Sequence, residues 1–261
     1  MEEFIITGGV PLRGEVEVSG SKNVALKAVV AALLTDEEVV IEGVPLISDF
    51  STMVKIIRHL GAQAQLEADH RLRICAKNIS RFQVPLEMGA RLRTSSMVIG
   101  PLLSRFGKAI IPNPGGCRIG ARPIDRHIEG LKGLGAQITY SQKDGYFRAQ
   151  AKRLSGPTCK FSKNTHTGTE TLILASVLAS GKTTILNAAC EPEVDDLILL
   201  LNSMGAKIRR VKPREIVIEG VKRLSQTTYK IMPDRNEAVT FAVAALVTGG
   251  DLLVKNTQRE Y

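Results

Sequence analysis

The tripeptides Leu60-Gly61-Ala62, Leu134-Gly135-Ala136 and Met204-Gly205-Ala206 recur 74 and 70 residues apart, each closing a segment of helical character. Self-similarity at a fixed period means that one supersecondary unit is copied along the chain, which restricts the fold to an assembly of copies. Glycine directly after the last turn supplies the left-handed conformation that ends a helix. The first of these helices, 50–60, has apolar residues at helical spacing on one side and polar residues on the other, the pattern of a helix lying on a core. The segments leading to Gly135 and Gly205 read the same way. Strand-like pairs follow, such as 64–66 with 72–75 and 207–209 with 215–218.

A second helix precedes each amphipathic one, at 24–34, 95–103, 171–178 and 240–247. Its apolar residues occupy nearly every face, which predicts burial on all sides. A short strand follows each, at 38–41, 109–111, 183–186 and 251–254. The unit is therefore strand, loop, buried helix, strand, loop, amphipathic helix and two strands. Copies of this βαβαββ unit predict an inside-out α/β barrel, with helices enclosed by sheets. The fourth unit begins near Tyr229 and breaks off at Tyr261, before its second helix.

The loop ahead of each buried helix is polar and basic: Ser19-Gly20-Ser21-Lys22-Asn23, Gly89-Ala90-Arg91-Leu92-Arg93-Thr94, Lys163-Asn164-Thr165-His166-Thr167-Gly168-Thr169 and Pro233-Asp234-Arg235-Asn236. Helix N-termini directed to one place would aim unpaired N–H groups and positive dipole ends at a shared anionic ligand. Lys22, Arg93 and Arg235 would add side-chain charge. The net charge of +9 raises nucleic acid as a partner, but the basic residues are scattered, aromatic content is 4% and tryptophan is absent. Stacking platforms for single strands need more rings. A groove for phosphorylated small molecules is the expected reading.

The four cysteines (75, 117, 159, 190) form no CxxC pair and the four histidines (59, 70, 127, 166) no ligand cluster, so neither a metal site nor a disulfide framework is expected. The longest apolar run, 28–34, is too short to span a bilayer. Met1-Glu2-Glu3 lacks the basic-then-apolar start of a secretory signal, which makes the cytoplasm the expected compartment. Cys117 is the exception to an otherwise inert set. It sits in Pro114-Gly115-Gly116-Cys117-Arg118-Ile119-Gly120-Ala121-Arg122-Pro123-Ile124-Asp125, where flanking arginines favour the thiolate and glycines argue against core packing. Leucine-to-aspartate spacings of 15 (Leu34 to Asp49) and 17 (Leu178 to Asp195) become 22 from Leu103 to Asp125. The cysteine loop is therefore an insertion in one unit, of the kind that closes over substrates.

The Ser19–Asn23 stretch, the Pro114–Asp125 stretch, His127, Gly130-Leu131, Leu134-Gly135-Ala136 and Pro233-Asp234-Arg235 together closely resemble the UDP-N-acetylglucosamine 1-carboxyvinyltransferases. The sister enolpyruvylshikimate-phosphate synthases share the fold and an equivalent of Lys22, but not the cysteine loop. The resemblance implies two inside-out α/β domains of three units each. It implies transfer of enolpyruvate from phosphoenolpyruvate to the 3′-hydroxyl of UDP-N-acetylglucosamine, with release of phosphate, by addition and elimination through a tetrahedral ketal in peptidoglycan precursor synthesis. Cys117 would be the general acid that protonates the phosphoenolpyruvate methylene, and the thiol that fosfomycin traps. Lys22 and Asn23 would contact phosphoenolpyruvate, with Arg122 stabilising charge and Arg93 near the substrates. Arg122, Pro123, Ile124, Asp125 and Arg126 would form the uridine-nucleotide segment, and Lys163, Asn164, Thr165 and His166 the diphosphate-side loop. No cofactor, metal, nucleic acid or membrane is implied.

The sequence departs from the resembling pattern at particular positions. Lys27 stands where proline is usual, Thr165-His166-Thr167-Gly168 replaces the commoner Ser-Val-Gly-Ala, and Asn236, Ala238 and Val239 break the pattern after Pro233-Asp234-Arg235. Six units averaging about 70 residues would need roughly 420, against 261 here. The expected layout is one complete domain over 22–229 and part of a second from 1–21 and 230–261, leaving apolar surface exposed from Phe241 to Val247. The aspartate proposed as base in the resembling family and a further arginine have no counterpart to assign. Two other readings stay open on the sequence: a non-catalytic copy that binds only the UDP-sugar, and a nucleic-acid-binding protein.

Overall fold

The structure, a computed structural model, describes residues 3–115 and 123–257. After β1 (Arg13–Glu17), the first unit runs through α1 (Lys22–Ala31), a 3₁₀ turn over Ala32–Leu34, β2 (Glu38–Glu42), α2 (Ser48–Leu60), β3 (Gln63–Glu67) and β4 (Arg71–Cys75). The second holds α3 (Leu86–Gly89), a 3₁₀ stretch over Arg93–Val98 that continues as α4 (Ile99–Phe106), β5 (Lys108–Pro112), α5 (Asp125–Gly133), β6 (Gln137–Ser141) and β7 (Tyr146–Gln150). The third holds β8 (Ser155–Lys160), α6 (His166–Ser176), β9 (Ser180–Leu186), α7 (Pro192–Ser203), β10 (Lys207–Lys212) and β11 (Glu215–Glu219). β12 (Thr227–Lys230), α8 (Arg235–Thr248) and β13 (Asp251–Lys255) complete the described chain.

The three units build the same sheet. Their orders are β12-β2-β4-β3, β5-β7-β6 and β8-β9-β11-β10, and in the second a parallel bridge from Gln83 to Ile110 stands where the others carry a fourth strand. The helix before the middle strand is the inner one. Every residue of α1 from Val24 to Ala31 is buried, as is every residue of α6 from Gly168 to Ser176. By contrast α2 buries only Phe50, Met53, Val54, Ile56, Ile57 and Leu60, and the left-handed Gly61 (φ 112°) ends it. Helices approach the inner α6 closely where small residues line the contacts. A Cβ on Gly100 of α4 would lie 3.1 Å from the Thr171 carbonyl oxygen of α6, and one on Gly130 of α5 would lie 2.8 Å from Leu172.

Strand exchange links the ends of the chain. In the third unit β8 leads through α6 to its own parallel neighbour β9. β1 does not pair with β2 after α1; it runs parallel to β13, and β12 takes its place beside β2. The two crossing segments hold each other through Ser21 N to Met232 O (2.8 Å) and Asp234 N to Ser19 O (2.9 Å). Gly20 is required there, since a Cβ would fall 1.9 Å from the Gly43 carbonyl oxygen.

The fourth helix carries the exposed apolar surface expected from Phe241 to Val247, in place of the all-round burial that its composition alone would suggest. α8 has no buried residue, and Leu246 and Val247 are 80% and 77% exposed. Its apolar character matches that of α1 and α6, but those are enclosed by three units, whereas α8 packs mainly on β13.

Candidate functional site

The basic loops singled out in the sequence meet at the N-terminal ends of the helices. Ser21 caps α1, accepting from Val24 N at 3.4 Å, which places Lys22 and Asn23 in the first turn. Asp234 serves two helices: Oδ2 accepts from Lys22 N (2.9 Å), and Oδ1 caps α8 through Asn236 N and Glu237 N (2.9 and 3.3 Å). The Lys22 ammonium faces Asp49 at 3.5 Å, with both side chains roughly half exposed. Such an exposed pair holds weakly, so the ammonium stays available to an anion. Arg235 is committed elsewhere, donating to both oxygens of the buried Glu193 at 2.9 and 3.2 Å. Burial pushes the Glu193 carboxyl up, but the Arg235 hydrogen bond, a backbone N–H and the Arg235 charge act together to hold the group below its ordinary value.

Cys117 and Arg122 lie outside the described residues, whereas both roots of their loop lie within them. Between β5 and α5 run twelve residues, against five between β2 and α2 and five between β9 and α7, so the insertion read from the spacings is present. Its two roots straddle the entry to the second inner helix. Gly115 N donates to Gly89 O (3.3 Å), and Arg93 Nη2 donates to Pro123 O (3.3 Å). A Cβ on Gly115 would lie 1.7 Å from Ala90 O, so only glycine fits at that root. Ile124 is buried, while Asp125 and Arg126 open α5 at the surface side.

At the third inner helix, Thr165 caps α6 by accepting from Gly168 N (3.2 Å). A Cβ at position 168 would sit 2.4 Å from the Thr165 methyl. Threonine at the cap and glycine three residues on therefore compensate each other, and two departures from the commoner Ser-Val-Gly-Ala become one change. Asn164 Nδ2 donates to Ala188 O (3.1 Å), and Lys163 is exposed. His166 points back to α1, where its Nε2 lies 3.0 Å from Lys27 Nζ. His127 of α5 meets the same loop, with Nε2 2.9 Å from Thr167 Oγ1. Burial, and after it the positive charge of Arg93, push the His127 pKa down to about 4, so this imidazole is neutral at physiological pH.

Lys22, Asn23, Arg93, Pro123, Asp125, Arg126, Lys163, Asn164, Thr165 and His166 thus belong to three neighbouring helix entries that touch through Asp234, Lys27 and His127. Four buried carboxylates on these elements went unassigned in the sequence reading: Glu170, Glu193, Asp196 and Asp234. Burial raises the Asp196 pKa, while the Tyr229 hydroxyl donates to it at 2.8 Å. The available signal was an acid inside an apolar helical run, as in Thr169-Glu170-Thr171-Leu172-Ile173, because a carboxylate buried on all sides must have a partner.

A groove of about 890 Å³ lies elsewhere, at the C-terminal ends of α4 and α6, lined by Arg105, Lys108, Gln150, Lys152 and Arg153 among others. Its size does not make it the reaction site: Arg105 is engaged with the carbonyls of Leu33, Thr35 and Ala76, and helix C-termini repel anions. Among the described residues no group of three metal-ligating side chains occurs, and no helix is long and apolar enough to cross a membrane.

Three copies of one sheet-and-two-helix unit around inner helices, with basic loops at the helix entries, define the α/β fold of the enolpyruvyl transferases. A solved enolpyruvyl transferase, NikO from Streptomyces tendae, matches 90% of this chain with a TM-score of 0.79 at 26% identity, using 55% of its own length. EPSP synthase from Acinetobacter baumannii matches 98% with a TM-score of 0.77 at 18% identity, over 58% of its length, and shows the fold alone. The chain belongs to the EPSP synthase (3-phosphoshikimate 1-carboxyvinyltransferase) family, which matches residues 6–261. Within it, this chain is 47% identical over 98% of its length to a UDP-N-acetylglucosamine 1-carboxyvinyltransferase of Koribacter versatilis, and 43% identical over 100% to that of Myxococcus xanthus. It spans 59% and 62% of those relatives.

Proposed function

We propose that this chain carries the substrate face of a cytoplasmic UDP-N-acetylglucosamine 1-carboxyvinyltransferase, which moves enolpyruvate from phosphoenolpyruvate to the sugar 3′-hydroxyl and releases phosphate in peptidoglycan precursor synthesis. The observation that supports this most is the 47% identity to a relative bearing that name, continuous over 98% of the chain. Residues 22–229 make up the complete domain in this reading, and 1–21 with 230–261 belong to a second. The exchange of β1 and β12 between sheets supports that division.

The chemistry assigns roles as follows. The 3′-hydroxyl oxygen bonds to C2 of phosphoenolpyruvate while the Cys117 thiol delivers its proton to C3, giving a tetrahedral ketal. The Cys117 thiolate then takes back a proton from C3 as phosphate leaves C2 with the proton given up by the hydroxyl, which regenerates the double bond and the thiol. Protonating carbon needs a placed acid of suitable pKa, and cationic neighbours tune a thiol for it. Lys22 and Arg122 hold the phosphate and carboxylate, where fixed cations stabilise charge as it shifts in the transition state. Asn23 adds a neutral contact to phosphoenolpyruvate, and Arg93 ties the acid loop to this site through Pro123. Pro123, Ile124, Asp125 and Arg126 flank the uridine, and Lys163, Asn164, Thr165 and His166 present the α6 N-terminus to the diphosphate. No residue is assigned to accept the hydroxyl proton.

The test is phosphate release by the chain in the presence of both substrates, run beside calorimetric titration with UDP-N-acetylglucosamine. Release that depends on both substrates supports the transfer. Saturable binding without release reduces the reading to a sugar-nucleotide binder, and absence of both overturns it.

A further inference from the structure

Glu193 and Asp196 stand three residues apart in α7, a spacing that puts both carboxylates on one side of the helix. Both are buried, at 1% and 7% exposure. A buried carboxylate needs partners, and both find theirs in the segment that follows the third unit. Glu193 accepts from Arg235 Nε and Nη2 at 2.9 and 3.2 Å, a two-point contact that fixes the plane of the guanidinium. Asp196 Oδ1 accepts from the Tyr229 hydroxyl at 2.8 Å, and Oδ2 from Met232 N at 3.3 Å. Donors from both ends and the middle of 229–235 therefore converge on one side of α7. The same segment also holds 19–22. Ser21 N donates to Met232 O, Asp234 N donates to Ser19 O, and Asp234 Oδ2 accepts from Lys22 N at 2.9 Å. Lys22 is the first residue of α1, so this last bond fixes the point from which its side chain leaves the helix entry. Arg235, which the sequence offered as a charge for the shared anion, serves this clamp instead.

We propose that Glu193 and Asp196 are positioning residues for the phosphoenolpyruvate side of the site: they clamp 229–235 against α7, and Asp234 passes that placement on to Lys22. The ligand half of this inference rests on the transferase reading above; the placement of Lys22 does not. The sugar-nucleotide segments have anchors of their own, in Thr165 with Gly168 N, Asn164 with Ala188 O and Arg93 with Pro123 O. The clamp therefore acts on one ligand more than on the other. A merely structural pair would weaken both alike.

The test uses the full chain as Glu193→Gln, as Asp196→Asn and as the double variant. Each change keeps side-chain size, but an amide offers oxygen at only one of the two positions where the carboxylate accepts. Circular dichroism checks that each variant folds. Arg235→Lys keeps the charge without the two-point contact, and carries the test together with the single variants if the double variant does not fold. Hydrogen exchange at the Lys22 amide, read by NMR on ¹⁵N-labelled chain, should quicken in every variant and most in the double one. Calorimetric affinity of the double variant for phosphoenolpyruvate should fall about tenfold, the loss of one hydrogen bond to a charged group, while that for UDP-N-acetylglucosamine stays within about threefold. Unchanged exchange at Lys22 in folded variants overturns the proposal. So does a phosphoenolpyruvate affinity that holds or rises, the result if a released Arg235 simply supplied another cation. An equal loss for both ligands overturns it too. A wild-type chain that binds no phosphoenolpyruvate sinks the transferase reading and the ligand half together, and exchange at Lys22 still decides the placement.

Discussion

Replacing His127 with glutamine should remove a defined part of the acid sensitivity of the fold. The imidazole is buried between α5 and the α6 entry, and its pKa falls from 6.5 to about 4. Below pH 6.5 the unfolded chain therefore takes up a proton that the folded chain refuses. Stability is lost as the pH falls from about 6.5 towards 4, and the loss levels off below 4, where both states are protonated. Across the entire window this one group costs about 3 kcal/mol, and about 2 kcal/mol between pH 7.5 and pH 5. Asp196, whose pKa is raised, and Glu193, whose pKa is lowered, also titrate on acidification. Both are common to the two proteins and cancel in the comparison. Urea unfolding of wild type and His127→Gln at pH 7.5 and pH 5 gives four free energies. The wild type should lose about 2 kcal/mol more than the variant. Parallel losses would refute the claim that burial and Arg93 hold this imidazole neutral.

Asp234→Ala removes the α8 cap and the acceptor of Lys22 N together, and should lower stability by about 1–2 kcal/mol, read by urea unfolding. Its amide hydrogen exchange should quicken at Lys22 and Asn236 but not in α2. Gly20→Ala places a methyl against the Gly43 carbonyl at the chain crossing, and should cost about 1–3 kcal/mol in the same assay. Cys117→Ser should abolish phosphate release and the mass shift caused by fosfomycin, yet leave the calorimetric affinity for UDP-N-acetylglucosamine within about twofold, because the acid acts on the other substrate.

The repeat made most of the fold legible. Three Gly-Ala helix ends at near-equal spacing, together with the contrast between all-round apolar and one-sided helices, lead to the inner and outer positions that α1, α4, α6 and α2, α5, α7 occupy. The pairing of β1 with β13 was expected only through the resemblance, which groups 1–21 with 230–261; the strand patterns themselves do not record which partner β1 or β12 joins. The exposure of α8 was expected from the layout of the units and not from composition: an apolar helix states what it can bury against, not what covers it. At the site, the basic loops were visible as charges before each inner helix. The carboxylates that organise them were not, since Glu170 and Glu193 take their meaning from Lys27 and Arg235, more than forty residues away in sequence.

The entries to the inner helices should act as one sugar-nucleotide surface. Hydrogen–deuterium exchange of the full chain, with and without saturating UDP-N-acetylglucosamine, tests it directly. Exchange should slow at 19–24, 89–94, 123–127 and 163–170, with no change around Arg105, Lys108, Lys152 and Arg153 at the opposite helix ends. Protection confined to that far groove, or no protection anywhere at a nucleotide concentration that saturates the wild-type relatives, would contradict it.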